Sequence, residues 1–539
     1  MSDALAVLMD EVRTARPVDS AYFFFPGYLT PNGELHLGHV GGPYLRSDAA
    51  ARFLRAYGAE VHSATASDAY ESSVTYAAAA EGAGAVRASE IAAHHTARAA
   101  RALSLLGMGG DSVVNPSAEP ELTAVAAHCT ALTGALQRAG RLTVREEKLL
   151  TGNAPAPETA TGAFVRGTCP FCALPQSGNA CEQCGRWLDP ASMESAWHPL
   201  LTGGTSSFRR VASVFVRTPP RFAGAAEDHV VEAEFAYLLT DYAKVFGPWL
   251  RLSYPSWWGL PWPSSAGSPH PGSVLSSYVM GKYGSTRLLG DRQLARTGTD
   301  PFRPDSGVTT VAVGGLDSAF GWLALHALTD PSVDFAPFDH VVVNRFMLLR
   351  GEKFSTSRKH VIRANDALDA GIAADVLRLL LARVSPGTSE SDFDPDVAAA
   401  RLAADCDLLH AALDASLPDG TEADPSAADR AAAARALERQ RAAFTLPSVE
   451  LPDAAQALTE FAAAVTDGAC AASPRFARQT LAVLALPLLP GWAHRVWATV
   501  LDTPPPGSSR DDAVPDGDLR LVPVAAALLD TLAERARLS

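Results

Sequence analysis

The chain has 539 residues, of which 47% are hydrophobic, and a formal net charge of -14. This length predicts a catalytic core with at least one further domain. No stretch approaches the roughly 20 consecutive apolar residues of a membrane helix, and the acidity argues against a surface built throughout for nucleic acid. The first twenty residues lack a basic start followed by an apolar run, so we expect no secretory signal, no membrane partner and a cytoplasmic location.

The opening segment predicts a strand, a tight loop and a helix. The apolar run AYFFFPGYL (21–29) is followed by the turn sequence TPNG (30–33) and by helix-like sequence over 36–57. A second strand is predicted over 60–66, one short loop later. Together these elements predict a βαβ unit with a parallel sheet, and therefore an α/β fold.

Further along the chain, the composition changes with the predicted structure. Helical sequence fills much of 72–139, and strand-like segments at 274–280, 308–314 and 338–346 are expected to complete the sheet. From about residue 394 the sequence predicts a helical bundle with a tail helix after 517. We expect four parts: the first half of the catalytic domain (1–139), a connective insertion (140–215), the second half (216–393) and the bundle (394–539).

The motif His36-Leu37-Gly38-His39 starts the first predicted helix after a strand. Helix N-termini attract phosphate, two nearby imidazoles can both face it, and Gly38 leaves room for a flat base. The alternative is an ordinary helix start with two incidental histidines, because the motif is short.

A second segment of interest, KFSTS (353–357), follows the predicted strand Val341–Leu348. A cationic, hydroxyl-bearing loop can close over a triphosphate and neutralise the charge that develops as pyrophosphate departs. Taken alone, the segment is better explained as a solvated surface loop.

Four of the seven cysteines form two CxxC pairs that are eight residues apart, with a glycine directly behind the second pair. This spacing is typical of a structural Zn²⁺ site in which four thiolates leave no position open for catalysis. The other three cysteines lie alone in helix-like sequence and are predicted to be buried apolar residues in a reducing compartment. The predicted metal ligands are Cys169, Cys172, Cys181 and Cys184.

The three motifs in this order make the chain resemble the class I aminoacyl-tRNA synthetases, and the methionyl enzymes in particular. HLGH matches their first signature, KFSTS their mobile signature loop, and GTCPFCALPQSGNACEQCG the zinc knuckle of their connective insertion. PNG, ATASDAYESS, DVLRLLLARVSP and LPLLPGWAHRVWATV extend the resemblance over about residues 20–505. It implies a Rossmann-like parallel-sheet catalytic domain, a zinc-knuckle insertion and a C-terminal α-helical bundle.

The resemblance also implies roles in ATP activation of a carboxylate. His36 and His39 would contact the ATP phosphates, and Lys353 would stabilise attack on the α-phosphate, giving an acyl-adenylate. Mg²⁺ would accompany ATP. Asp317 lies near the position of the family's ribose-binding acid, but it equally fits a helix N-cap. The nucleotide-binding candidates are Asn32, Gly38, Asp317, Ser355, Ser357 and Arg358.

Asp68, in ATASDAYES, falls where the methionyl enzymes bind the substrate's α-ammonium group. The alternative is an ordinary loop carboxylate after a strand, although strand ends in such sheets face the ligand crevice. The signature loop has Thr356 in place of the family's second lysine, with Arg358 and Lys359 directly behind it. We expect catalysis to survive this change on Lys353.

The family's methionine pocket is altered. Thr30 replaces an aromatic ring, Tyr278 replaces a Trp, and Lys282 enters an apolar neighbourhood, while Gly321 or Trp322 takes the place of a histidine. A buried charge is costly unless it meets an anion, so either the alignment is shifted here or the substrate is not methionine.

The C-terminal region lacks the asparagines and the Trp with which the family reads an anticodon. Single-stranded bases require aromatic platforms and polar edges. We therefore favour an enzyme that adenylates an amino acid or related carboxylate and passes it to a small-molecule amine or a carrier. An authentic methionyl-tRNA synthetase using tRNA, or a non-catalytic binding homologue, are the alternatives.

Overall fold

The computed structural model describes residues 1–151, 159–200, 206–225, 230–263, 273–355, 358–416, 423–508 and 518–538. Within these ranges the α-helices are α1 (Asp3–Ala15), α2 (Leu37–His39), α3 (Leu45–Ala56), α4 (Ser72–Ala80), α5 (Ala85–Leu105), α6 (Glu121–Arg138), α7 (Tyr237–Phe246), α8 (Lys282–Thr297), α9 (Leu316–Leu323), α10 (Ala364–Asp369), α11 (Ala374–Arg383), α12 (Pro395–Ala415), α13 (Ala427–Ala443), α14 (Leu451–Thr466), α15 (Pro474–Ala485), α16 (Pro490–Ala498) and α17 (Ala526–Leu538).

The strands in the same ranges are β1 (Ala21–Pro26), β2 (Glu60–Ala66), β3 (Ser112–Val114), β4 (Leu142–Thr151), β5 (Thr159–Ala160), β6 (Arg166–Thr168), β7 (Pro175–Ser177), β8 (Glu194–Trp197), β9 (Phe208–Arg217), β10 (Trp249–Arg251), β11 (Ser253–Pro255), β12 (Ser273–Leu275), β13 (Thr309–Gly315), β14 (His340–Asn344), β15 (Met347–Leu349), β16 (Glu352–Lys353) and β17 (Ser391–Phe393).

The central sheet has five parallel strands in the order β14-β13-β1-β2-β3. In its register, Tyr22 on β1 lies opposite Thr309 on β13 and Val61 on β2. This arrangement confirms the predicted α/β class. The edge strand β3 was missed because it has only three residues, inside the segment 72–139 that the sequence predicts to be largely helical.

The strand predicted over 274–280 is wrong in extent and partner. Only β12 is extended, and it pairs antiparallel with β11, outside the central sheet. From Ser277 to Gly281 the backbone forms a π-helical turn that leads directly into α8. A short apolar run does not distinguish a buried helix start from a strand, and here the helix forms.

The alternation of side chains along β1 builds two cores, one on each face of the sheet. Tyr22 and Phe24 belong to the core that also holds α3, α5 and the C-terminal helices, whereas Phe23 and Phe25 pack with α6 to α9. The C-terminal bundle is therefore continuous with one face of the catalytic sheet.

The insertion is built on a long antiparallel ribbon. Strands β4 and β9 pair from Leu142 opposite Val216 to Leu150 opposite Phe208, and the small sheet β7-β6-β8 carries the cysteine pairs. In the described part of the chain, no helix is both long and apolar enough to cross a bilayer.

Candidate active site

The candidate residues collect at the carboxyl ends of the parallel strands, where open α/β sheets bind ligands. The end of β1 leads to α2, β2 leads to Asp68, and β13 leads to Asp317 in the first turn of α9. The segment after β14 forms the hairpin β15–β16, which ends at Lys353. Four strand ends thus supply one cleft.

His36 and His39 are held as a pair by reciprocal capping of α2. The Nδ1 atom of His36 accepts a hydrogen bond from the backbone N–H of His39 at 3.3 Å, and the Nδ1 atom of His39 accepts one from the N–H of His36 at 3.4 Å. The rings stack with centroids 3.7 Å apart. A Cβ at Gly38 would lie 3.1 Å from the His36 ring, so this close pair requires a glycine between them.

Both imidazoles are held in the neutral form. Burial, the neighbouring His39 and the charge of Lys353 lower the pKa of His36 well below its usual value. His39 faces the open cleft, yet partial desolvation and Lys353 also lower its pKa. Because Nδ1 of each ring accepts a backbone hydrogen bond, a neutral ring carries its proton on Nε2. Each ring can therefore donate one hydrogen bond to a phosphate oxygen.

The signature loop contacts the histidine pair through Phe354. The Phe354 ring is buried and stacks on His36 with centroids 5.1 Å apart. The backbone of the returning segment also reaches the motif, because the N–H of Leu37 donates to Ile362 and the N–H of Ala364 donates to Leu35. The two signatures therefore form one unit, although more than 300 residues separate them.

Lys353 points into the cleft from the end of β16. Its ammonium group pairs with Glu182 at 2.8 Å and lies 3.8 Å from the centroid of the Phe346 ring. Its charge lowers the pKa of both histidines and opposes the rise that burial causes in the pKa of Asp317. Lys353 thus acts electrostatically on His36, His39 and Asp317, the three ionisable groups expected to contact the nucleotide.

The other nucleotide candidates, and the pocket candidate Thr30, take less specific positions. Thr30 and Asn32 lie exposed in the tight turn before α2. Ser355 forms a backbone bridge with His360, and its hydroxyl accepts a hydrogen bond from the N–H of Arg358 at 3.3 Å. Asp317 is not the N-cap of α9, because Gly315 occupies that position. Ser357 and Thr356 lie outside the described residues.

The four predicted cysteine ligands converge. Their sulfur atoms all lie within 4.8 Å of one another, with 3.9 Å between Cys169 and Cys184 and 3.6 Å between Cys172 and Cys181. A tetrahedral Zn²⁺ site with Zn–S bonds of about 2.3 Å requires sulfur–sulfur edges of roughly 3.8 Å. The donor set and its spacing therefore fit a structural zinc ion.

The two CxxC turns have the same local geometry. The backbone N–H of Phe171 donates to the sulfur of Cys169, and that of Cys184 donates to the sulfur of Cys181, both at 3.4 Å. Each turn closes with a positive φ, 59° at Ala173 and 69° at Gly185. These N–H groups would stabilise thiolates, as a metal site requires.

The knuckle, defined as residues 169–185, packs against the catalytic cleft. A Cβ at Gly185 would lie 2.6 Å from the side chain of Leu316, at the start of α9, and Tyr237 donates its hydroxyl to the carbonyl of Cys184 at 2.6 Å. The Cys181–Cys184 turn thereby presents Glu182 to Lys353. Sequence reasoning missed Glu182, because no pattern relates a knuckle tip to a distant loop.

Asp68 lies buried at the end of β2, with only 4% of its surface exposed. Its Oδ1 atom has no hydrogen-bond partner among the described residues. Burial raises the pKa of Asp68 to about 7, against the lowering effect of Lys282. The Oδ1 atom is therefore available to an incoming cation.

Lys282 begins α8 and is 2% exposed. Its ammonium nitrogen lies 4.1 Å from the ring centroid of Tyr28, 4.7 Å from that of Trp322 and 5.3 Å from that of Tyr278. We call these three rings and Lys282 the lysine cage. A Cβ at Gly321 would lie 2.4 Å from Cε of Lys282, so a side chain there would displace the lysine.

Tyr28 was not among the predicted site residues, and Gly321 was named only as one of two candidates for a histidine position. Tyr28 precedes the first signature, shares a hydrogen bond with the Ser285 hydroxyl at 3.0 Å, and reaches the cage from the loop after β1. Tyr278 is fixed by its hydroxyl, which donates to the carbonyl of Asp317 at 2.5 Å. The only signal available in the sequence was that several pocket positions had changed together.

Comparison with known proteins agrees with this geometry. The family model described as tRNA synthetases class I (M) matches residues 27–257 and 322–409. A fold and a strand-end cleft of this kind define a class I synthetase. The chain belongs to the class I tRNA synthetases of type (M), which confirms the resemblance in its signatures.

Three curated relatives are methionine–tRNA ligases. The enzyme of Thermoplasma volcanium is 30% identical over 193 residues, which are 34% of this chain and 33% of that one. The Chlamydia muridarum enzyme is 26% identical over 67% of this chain and 64% of its own, and the Thermoplasma acidophilum enzyme 25% over 67% and 65%. The chain thus spans between a third and just under two thirds of these relatives' lengths.

Among solved structures, the methionyl-tRNA synthetase of Mycobacterium tuberculosis in complex with methionyl-adenylate matches with a TM-score of 0.63. The match covers 90% of this chain and 97% of that one at 17% sequence identity. It supports a common fold that includes the insertion and the C-terminal helices.

Proposed function

We propose that the protein activates an amino acid or a related carboxylate with ATP as an acyl-adenylate and transfers the acyl group to an acceptor other than tRNA. The transfer would form an amide or an ester in a specialised biosynthetic pathway, with a small-molecule amine or a carrier as acceptor. ATP-dependent chemistry beside reduced thiolates suits the cytoplasm.

The observation that carries the adenylation step is the convergence of His36, His39 and Lys353 on one cleft. The triphosphate, with Mg²⁺, lies beside the two neutral imidazoles at the start of α2. Lys353 leaves Glu182 for the phosphates and neutralises the charge that grows as pyrophosphate departs. Alignment and charge neutralisation are sufficient, so no covalent enzyme intermediate is required.

The remaining candidates take supporting roles. We assign ribose binding to Asp317, whose carboxylate is acted on by Lys353, and the support of the signature loop to Ser355 and Arg358, which share a hydrogen bond. Gly38 leaves the approach to the base open, and Asn32 contributes from the turn before it. Zn²⁺ in the knuckle supplies rigidity to the segment that carries Glu182.

The C-terminal region supports an acceptor other than tRNA. Residues 394–539 contain twenty-one Asp and Glu against twelve Arg and no Lys, which leaves nine net negative charges. RNA binding depends on Lys and Arg for its affinity, so this balance is unfavourable. Two of these arginines, Arg439 and Arg520, already pair with bundle carboxylates.

The same region offers no stacking surface. It contains only five aromatic side chains, and every one is at most 2% exposed. Recognition of an unstacked anticodon base uses aromatic faces that are open to solvent. The five buried rings are those of Phe444, Phe461, Phe476, Trp492 and Trp497.

A second candidate function is the charging of tRNA with methionine. Membership of the family and the names of the relatives favour it, since the three curated relatives are methionine–tRNA ligases. The two functions share the adenylation step and differ in the acceptor and in the acid that is activated.

Amino-acid-dependent exchange of labelled pyrophosphate into ATP tests the adenylation step. We expect exchange with at least one member of a panel of amino acids, and its loss in Lys353→Ala. Absence of exchange with every candidate would reject adenylation and favour a non-catalytic role.

The acceptor is tested by adding total tRNA to the activated substrate. We expect no acid-precipitable label and no gel shift of tRNA, whereas hydroxylamine, a small nucleophile, should trap the acyl group. Stable charging of any tRNA would reject the acceptor that we propose and leave adenylation in place.

A further inference from the structure

The amino-acid half of the cleft contains two buried charges that do not neutralise each other. Asp68 and Lys282 are 4% and 2% exposed, and their charged groups do not form an ion pair. Asp68 Oδ1 lacks a hydrogen-bond partner, and the Lys282 ammonium contacts aromatic rings without a hydrogen bond or ion pair to any described residue. Asp68 thus has room for a cation, and Lys282 for an anion, that the described residues do not supply.

The energetics of burial make this arrangement informative. Burial raises the pKa of Asp68 and lowers the pKa of Lys282 to about 8, and the attraction between the two groups offsets only part of either shift. Removing an ammonium group from water is costly unless it meets an anion. Cation–π contacts from the three rings offset part of that cost, and a bound anion would supply the counter-charge that the rings lack.

The chain has made room for this lysine. Gly321 lies against Cε of Lys282, where any Cβ would be 2.4 Å away. Three rings, from the loop after β1, from α9 and from the turn before α8, close around the ammonium. A lysine that merely filled space would be replaced at lower cost by an apolar residue. The residues around Lys282 therefore indicate that its positive charge is used to bind a ligand.

We propose that the substrate is an α-amino acid with an anionic side chain, whose α-ammonium pairs with Asp68 while its side-chain anion pairs with Lys282. The α-carboxylate then faces the α-phosphate of ATP beside His36 and His39. The anion can be a carboxylate, a sulfonate or a phosphate. This inference rests on the proposed function for the reaction, but its binding component can be measured independently.

Methionine fits this site poorly. A thioether can contact the rings of the cage, but it would bury the Lys282 ammonium further and give it no counter-charge. A substrate without an α-amino group fits poorly for the complementary reason, since Asp68 would stay buried without a cation. The site matches a ligand that brings one cation and one anion besides the reacting carboxylate.

Isothermal titration calorimetry on the full-length protein with a non-hydrolysable ATP analogue tests the binding component. The ligands are aspartate, glutamate, cysteate and O-phosphoserine, their neutral counterparts asparagine, glutamine and methionine, and the deaminated acids succinate and glutarate. We expect at least one anionic amino acid to bind at least tenfold more tightly than every neutral and deaminated ligand. Tighter binding of methionine, or of succinate, would overturn the proposal, as would binding of none of the anionic amino acids.

Lys282→Met removes the charge with little change in length. We expect it to weaken the best anionic ligand at least tenfold and to leave methionine binding equal or stronger. Removal of a buried unpaired charge is not expected to prevent folding, and retained ATP-analogue binding verifies this. Lys244→Met, on the exposed face of α7, is the matched control and should bind like the wild type.

Pyrophosphate exchange with the same ligands separates the two proposals. Binding of an anionic amino acid without exchange would reject adenylation and keep this substrate class. Exchange with methionine alone would reject the substrate class and keep adenylation.

Discussion

The two halves of the cleft differ in what fixes their side chains. In the nucleotide half, His36, His39 and Phe354 stack on one another and the backbone caps the imidazoles. In the amino-acid half, Asp68 and Lys282 are buried, and among the described residues the Asp68 Oδ1 atom has no hydrogen-bond partner while the Lys282 ammonium contacts aromatic rings. The side chains of the nucleotide half are held by contacts within the protein. In the amino-acid half, Asp68 and Lys282 would each gain a direct counter-charge only when a ligand binds.

This difference follows from the chemistry that each half would perform. Attack on the α-phosphate is the same for any carboxylate, so the groups that neutralise phosphate charge need not vary with the substrate. The groups around the substrate's side chain decide which acid is activated, and they change with it. Substitutions in the nucleotide half should therefore lower the rate of adenylate formation, whereas substitutions in the amino-acid half should change which acid binds.

The largest effect is expected for Lys353→Ala. Loss of one group that neutralises the departing pyrophosphate should lower the rate of adenylate formation by about 10²–10³-fold. ATP binding should remain, because the imidazoles and the start of α2 are unchanged. Single-turnover kinetics and calorimetry with an ATP analogue measure the two effects, and Lys244→Ala is the control. An unaltered single-turnover rate would remove Lys353 from the mechanism.

Loss of the knuckle's metal should increase local opening of the knuckle and leave nucleotide binding largely unchanged. Cys172→Ser should lower the zinc content below one equivalent and increase amide hydrogen exchange over 169–185 on the order of 100-fold, equivalent to about 3 kcal/mol of local opening. ATP-analogue binding should persist, because the zinc site contributes no phosphate ligand. A wild-type protein that carries less than one equivalent of zinc after gentle purification would contradict the site.

The motifs of the nucleotide half could be located from the sequence because each is contiguous. His36, Gly38 and His39 share one helix start, and the cysteine pairs carry their spacing with them. The α/β fold class could be predicted for the same reason, because the first strand, loop, helix and second strand follow one another directly in the sequence. The family match then confirmed the resemblance on which these residues were selected.

The amino-acid half could not be predicted to the same extent. The lysine cage assembles from the loop after β1, from α9 and from the turn before α8, and its geometry depends on the absence of a side chain at Gly321. The apolar run over 274–280 favoured a strand, although tertiary packing makes most of it a helical turn. The contact of Glu182 with Lys353 depends on how the knuckle packs, which local pattern does not encode.

The pH dependence of substrate binding sharpens the comparison. Asp68 faces Lys282 and Glu71, while Lys282 faces Asp68, Asp317 and Glu71. An amino acid with an anionic side chain needs the ionised Asp68 carboxylate and the protonated Lys282 amine together. The pKa of Asp68 is about 7 and that of Lys282 about 8, so both conditions are best met between these two pH values. Its affinity should rise with pH through 7, fall above 8, and lose about tenfold per pH unit outside this window.

Calorimetric titration of the free enzyme between pH 5.5 and 9, roughly the range over which these two groups change charge, measures this profile. Lys282→Met should remove the decrease above pH 8, and Asp68→Asn should remove the increase below pH 7. A flat profile in the wild type would show that neither group contacts the ligand.

The smallest effect is expected for Glu182→Gln, at the boundary between the knuckle and the nucleotide half. Because ATP must displace Glu182 from Lys353, removal of the carboxylate should lower the KM for ATP. The pair is 28% and 47% exposed, and partly exposed pairs contribute about 0.2–1 kcal/mol, so the change should be about two- to fivefold. Glu390→Gln is the matched control, since Glu390 accepts from Gln183 on the same knuckle tip but does not contact Lys353. An equal decrease in both variants would assign the effect to net charge and would mean that the knuckle does not restrain the catalytic lysine.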